Sequence, residues 1–99
     1  MDDNARTINI LGVVFTVKEV DCVNKTDPRK GEIDYLTNEI RIDRNMPPSS
    51  KNQTLMHEIL HGMFDLLGLE ELRDDETKVQ VMATALHQIF RAQDVFKAV

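Results

Sequence analysis

The sequence predicts an α+β fold: a small antiparallel sheet of about four strands, in two hairpins, followed by two packed helices. Three observations lead there. The first half of the chain is dense in β-branched residues interrupted by turn signals, the second half carries apolar residues at helical spacing, and Pro47-Pro48 separates the two. At 99 residues we read residues 1–99 as one domain with a single modest core.

The elements follow in order. In INILGVVFTVKEV, Gly12 breaks an apolar, β-branched run, which predicts a hairpin of Thr7–Leu11 and Val13–Val20. VNKTDPRKG carries Asp27-Pro28 and Gly31 and reads as a loop. GEIDYLTNEIRID places Ile33/Tyr35 and Ile40/Ile42 on alternating positions around Leu36-Thr37-Asn38, a second hairpin with one buried face. Ser50 with Gln53 three residues on resembles a capping box, so the first helix is expected over Ser49–Leu67, with Gly68 as its stop. Asp74 or Asp75 then caps a second helix running to about Phe96, whose face Val79, Met82, Leu86, Ile89 and Phe90 is assigned to the core.

Hydrophobic residues make up 41% and charged residues 29% of the chain, with a net charge of −5. That balance fits a soluble globular protein, and scattered basic residues in an acidic chain argue against a nucleic-acid partner. The N-terminal stretch MDDNARTINI lacks the basic and apolar regions of a secretory signal, and no apolar run reaches the ~20 residues of a membrane span. A cytoplasmic protein without a membrane partner is expected. Cys22 is the one cysteine, which precludes an internal disulfide and suggests a small, half-buried residue near a strand end.

The chemistry concentrates in HEILH, residues 57–61. On a helix at 100° per residue, Leu55, Met56, Ile59, Leu60, Met63, Phe64, Leu66 and Leu67 cover most of the circumference, leaving one polar stripe of Thr54, His57, Glu58, His61 and Asp65. A buried polar stripe costs free energy unless its members are paired or bind something. His57 and His61 project from consecutive turns, so two imidazoles can meet one ion, while Glu58 is placed to hydrogen-bond a water beside it. The pattern is that of a zinc site with its own general base. The bland alternative is a pair of satisfied core histidines.

A catalytic zinc needs a third protein ligand. Phe64 and Leu67 stand where a metzincin continuation needs Gly and His. The oxygens that remain are Asp65, Glu70, Glu71, Asp74, Asp75 and Glu76, with His87 further along. Glu76 is favoured, because a short helix–loop–helix connection returns the start of the second helix to His61. Asp65 lies on the same helix as the histidines and is more suited to a supporting or solvated role. His87 lies ~16 Å beyond Glu76 along the axis and cannot share its ion; the core edge is its simplest place.

The segment HEILHGMFDLLGLEELRDDETKVQVMATALHQIF resembles the minimal gluzincin metallopeptidases, in particular small phage and prophage proteins related to the ImmA/IrrE-type peptidases, and EIDYLTNEIRID is similar to the hairpin that precedes their metal helix. The resemblance implies a minimal zincin-like fold, Zn2+ held by His57, His61 and Glu76, Glu58 as general base, and a bacterial or phage-encoded cytoplasmic peptidase acting on a peptide or protein. Where larger gluzincins place an Asp four residues after the ligand Glu, to orient a zinc-bound histidine, this chain has Gln80, whose amide oxygen can accept the same imidazole N–H. Tyr35, Arg41 and His87 are the available substitutes for oxyanion-binding groups that larger enzymes draw from a further domain. The second hairpin, Glu32–Asp43, is the expected edge for an extended substrate. Two other classes compete: a zinc-binding interaction module without activity, and a structural or DNA-associated accessory protein. Oligomeric state and cleavage specificity are not written in the residues.

Overall fold

Residues 5–24 and 29–92 are described by the computed structural model; the Asp27-Pro28 turn and the expected extension of the last helix to Phe96 lie outside them. β1 (Arg6–Ile10) and β2 (Val13–Val20) form the first hairpin, joined by a two-residue turn at Leu11 and Gly12. Both turn residues have positive φ, 53° and 89°, which matches the twist of the flanking strands. β3 (Gly31–Asp34) and β4 (Glu39–Asp43) form the second, with a longer turn that takes in Tyr35. Asp34 Oδ1 accepts the Leu36 and Thr37 N–H groups at 2.9 and 3.2 Å, and Asn38 closes the turn at φ 55°.

The two hairpins join through β2 and β4, giving the order β1-β2-β4-β3. This central pair is parallel, Thr16 opposite Glu39 through Val20 opposite Asp43, so the sheet is mixed where an all-antiparallel one was expected. Residue alternation specifies which face of a strand is buried; the edge on which two hairpins meet is decided by packing between distant residues. β3 consequently forms one edge of the sheet and β4 lies inside it.

One face of the sheet is apolar. Phe15 and Ile40 are fully covered and Ile10 and Ile42 nearly so, with Ile8, Val13, Val17 and Ile33 around them. The opposite face carries ion pairs such as Lys18 with Glu39 at 3.5 Å. α1 (Pro48–Leu66) lies across the apolar face through Leu55, Ile59 and Met63. Gly62 permits this approach: a Cβ there would stand 3.0 Å from Ile33 Cδ1 and 3.3 Å from Ile10 Cδ1. On its other side α1 packs Leu60 and Phe64 against Val79 and Ala83 of α3 (Glu76–Ala92). Each fully buried apolar side chain of this size contributes roughly 1.5–3 kcal/mol.

The ends of the helices are set locally. α1 starts on Pro48 behind Pro47, with no side-chain cap; proline's fixed φ suits the first helical position. The expected Ser50–Gln53 box does not form, and Gln53 reaches α3 instead. At the far end the Gly68 N–H donates to the Asp65 carbonyl at 3.1 Å and the Leu69 N–H to the Phe64 carbonyl at 2.9 Å, the double bond of a Schellman stop, with Gly68 at φ 73°. A single-turn helix, α2 (Glu70–Arg73), occupies the connection. Asp75 caps α3, its Oδ1 accepting the Lys78 N–H at 3.0 Å.

Three burial expectations are corrected. Leu66 and Leu67, at the end of α1, are 39% and 54% exposed. Ile89 and Phe90 are each 52% exposed and not core: with Thr84 level with Gln53, α3 reaches the first turn of α1 at these residues and has little helix left to face. Cys22 is exposed where a half-buried residue was expected, while Val23 beside it is buried. Among the described residues no helix is long and apolar enough to cross a membrane.

Candidate metal centre

α1 and α3 run antiparallel, and each carries a polar residue at every fourth position: Gln53, His57 and His61 on α1, Glu76, Gln80 and Thr84 on α3. Four-residue spacing keeps each set on one stripe, and antiparallel packing matches the stripes member to member. Gln53 Nε2 donates to Thr84 Oγ1 at 2.8 Å, and His57 Nδ1 lies 2.8 Å from Gln80 Oε1. The Glu76 carboxylate spans both imidazoles, Oε2 at 3.0 Å from His57 Nε2 and Oε1 at 2.9 Å from His61 Nε2. The two Nε2 atoms are 3.1 Å apart, with the rings inclined at 62°.

These separations suit a metal ion. A tetrahedral ion with donors at about 2.0–2.1 Å holds them ~3.3 Å apart; the two Nε2 atoms, at 3.1 Å, and the carboxylate oxygen nearest to each of them, at 3.0 and 2.9 Å, lie close to that spacing. Their chemistry agrees. A carboxylate oxygen and two imidazole nitrogens turned toward one point repel through their lone pairs unless a cation or protons lie between them. His57 Nδ1 faces an amide oxygen, which can only accept, so in the neutral ring the proton sits on Nδ1 and Nε2 is free to ligate. Two nitrogens and one carboxylate oxygen are a donor set that zinc accepts. The histidine side chains are 14% and 8% exposed and Glu76 72%, so the imidazoles are fixed by the helix body while the carboxylate closes the site from its rim.

Glu58 is 6% exposed and lines the same cleft as the three donors. Burial, aided by the negative charges of Glu76 and Glu32, raises its pKa to about 7, against a smaller lowering by Arg29. A divalent cation on the three donors would draw it back toward the carboxylate form. The cleft has a volume of about 670 Å³ and runs between α1, the start of α3 and the edge strand β3, of which Gly31, Glu32 and Ile33 form a wall. Arg29 and Lys30 line it beside the start of β3, and Tyr35 lines it beside the end.

The remaining candidates fall into two groups. Gln80 and Tyr35 line the cleft. Burial, followed by the charge of Asp65, pushes the Tyr35 hydroxyl up to about 12, so it keeps its proton, and the Arg73 guanidinium stands over its ring at 5.8 Å. Asp65, Arg41 and His87 lie outside the cleft lining. Asp65 accepts from Arg73 Nη1 at 2.8 Å and thereby ties α2 to α1, a structural duty in place of the supporting or solvated one expected. Arg41 pairs at 4.0 Å with Glu32 and Glu39 on the outer face of the sheet. His87 is half-buried on α3, three residues beyond Thr84.

No protein-family model, curated protein or solved structure matches this chain. Function is therefore read from the site. Nothing in the HEILH motif points to Thr84; the signal that does is the Glu76, Gln80, Thr84 repeat, which pairs with Gln53, His57, His61 only once the helices are known to be antiparallel.

Proposed function

We propose that the protein is a minimal zinc-dependent peptidase acting in the cytoplasm, with His57, His61 and Glu76 as the metal ligands and Glu58 as the general base. The observation that carries this reading is the convergence of three donor atoms within 4.8 Å of one another at the wall of a cleft that Glu58 also lines. A site built only for structure has no use for a base and encloses its ion with four protein ligands; among the described residues three donors cluster, and all three line the cleft.

When bound, zinc supplies a Lewis acid that polarises the scissile carbonyl and lowers the pKa of water from about 15.7 toward ~7. Glu58 takes the proton from the attacking water and delivers it to the leaving amine. Gln80 holds the His57 ring through Nδ1–H. β3 offers an edge that no described strand pairs with to an extended peptide, which narrows the expected docking edge from the whole hairpin to Gly31–Asp34, because β4 is paired on both sides. Tyr35 is the one of the three oxyanion candidates that reaches the cleft, and its retained proton makes it a donor.

The test is a peptide-library digest with zinc-loaded wild type and Glu58→Gln. Cleavage by wild type, lost in Glu58→Gln at unchanged zinc content, is expected. Zinc binding with no cleavage of any peptide or protein offered would leave the alternative, a zinc-binding interaction module related to phage or prophage circuits, as the better account.

A further inference from the structure

An amide is a two-faced partner for a histidine. If its oxygen faces Nδ1, the ring carries its proton on Nδ1 and Nε2 is bare; if its NH2 faces Nδ1, the proton moves to Nε2 and that nitrogen can no longer ligate. A carboxylate has no such ambiguity, so Gln80 needs something to orient it. Thr84 lies one turn on along α3. Its hydroxyl donates to the Gln80 backbone carbonyl at 2.9 Å, which commits its only hydrogen and leaves Oγ1 an acceptor. Oγ1 then receives Nε2 of Gln53 from α1 at 2.8 Å and Nε2 of Gln80 at 3.4 Å. With its NH2 drawn to Thr84, the Gln80 amide turns its oxygen to His57 Nδ1 at 2.8 Å.

We infer that Thr84 is a positioning residue: by accepting the Gln80 NH2 it fixes the amide orientation that selects the Nδ1–H tautomer of His57 and keeps Nε2 free for a metal. The consequence for affinity rests on the metal reading above, whereas the tautomer does not. Gln53 joins the same acceptor from α1, so the relay also couples the two helices at the level of the site.

The experiment reads the His57 ring nitrogens by 15N NMR in metal-free protein at alkaline pH, and zinc affinity by chelator competition, in wild type, Thr84→Val, Thr84→Ser, Gln80→Glu and the Gln80→Glu/Thr84→Val pair. Wild type and Thr84→Ser are expected to hold the Nδ1–H tautomer. Thr84→Val should shift His57 toward Nε2–H and weaken zinc about tenfold, and the same change should have no effect beside Gln80→Glu, where either oxygen serves. A His57 tautomer unchanged in Thr84→Val, or an equal loss in the Gln80→Glu background, would overturn the inference. A wild type that takes up no zinc would defeat the metal reading, and the tautomer shift would still decide the relay.

Discussion

α1 meets α3 along two seams that obey different rules. In the apolar seam Leu60 and Phe64 press on Val79 and Ala83, and what matters is volume and exclusion of water. In the polar seam, on the side facing the cleft, Gln53, His57 and His61 meet Thr84, Gln80 and Glu76 atom to atom, at 2.8–3.0 Å. The first seam holds the helices together whatever the second contains. The second can therefore be assembled from groups that repel one another unless a cation or protons lie between them, an arrangement a small core could not tolerate as its main source of stability.

The largest effect should come from the apolar seam. Phe64→Ala removes a side chain that is 5% exposed and is expected to cost about 3–5 kcal/mol in a denaturant titration; a loss under about 1 kcal/mol would mean that the polar seam holds the helices. A smaller and differently placed effect is expected from Gln80→Leu. Metal-free stability should change by less than about 1 kcal/mol, since the amide is at the surface, while zinc affinity falls about 10–100-fold. Chelator competition and denaturation on one sample would separate the two. If stability fell and affinity did not, the seams would not be divided as described.

The smallest effect tests a polar link outside both seams. Lys51 Nζ donates to Glu19 Oε1 at 2.6 Å, joining the start of α1 to β2, and this bond holds the Glu19 carboxyl below its ordinary range. A depressed carboxyl stabilises the fold above its unfolded pKa and loses that contribution as pH falls through its folded value. Lys51→Met should thus cost under about 1 kcal/mol at neutral pH, the range of exposed pairs, and the difference from wild type should vanish in acid. A difference that persisted or grew below the carboxylate range would assign Lys51 a packing role instead.

The two seams also differ in how far the sequence announces them. Period-2 alternation identifies Ile33, Ile40 and Ile42 as inward, and helical spacing does so for Leu60, Phe64 and Val79; Gly68 marks the end of α1, and Asp75, one of the two caps the sequence offers, the start of α3. These signals are local, and the structure follows them. The parallel pairing of β2 with β4 has no local signal, nor does the length over which two helices overlap, so Ile89 and Phe90 carry the pattern of a core face without a partner to cover it among the described residues. In the polar seam, spacing places His57, Glu58 and His61 on one stripe, and the short connection favours Glu76 among several carboxylates, with α2 setting where α3 begins. The same connection takes Asp65 away, because Arg73 of α2 binds it. Gln53 carries a capping-box pattern, and its use is decided by Thr84 across the seam.

The central claim is that the polar seam is built around a metal ion. Native mass spectrometry of wild type and Glu76→Ala, side by side, tests it most directly. One zinc per chain in wild type and none in Glu76→Ala is the predicted result. No uptake by wild type with zinc supplied, or equal uptake by both proteins, would contradict it.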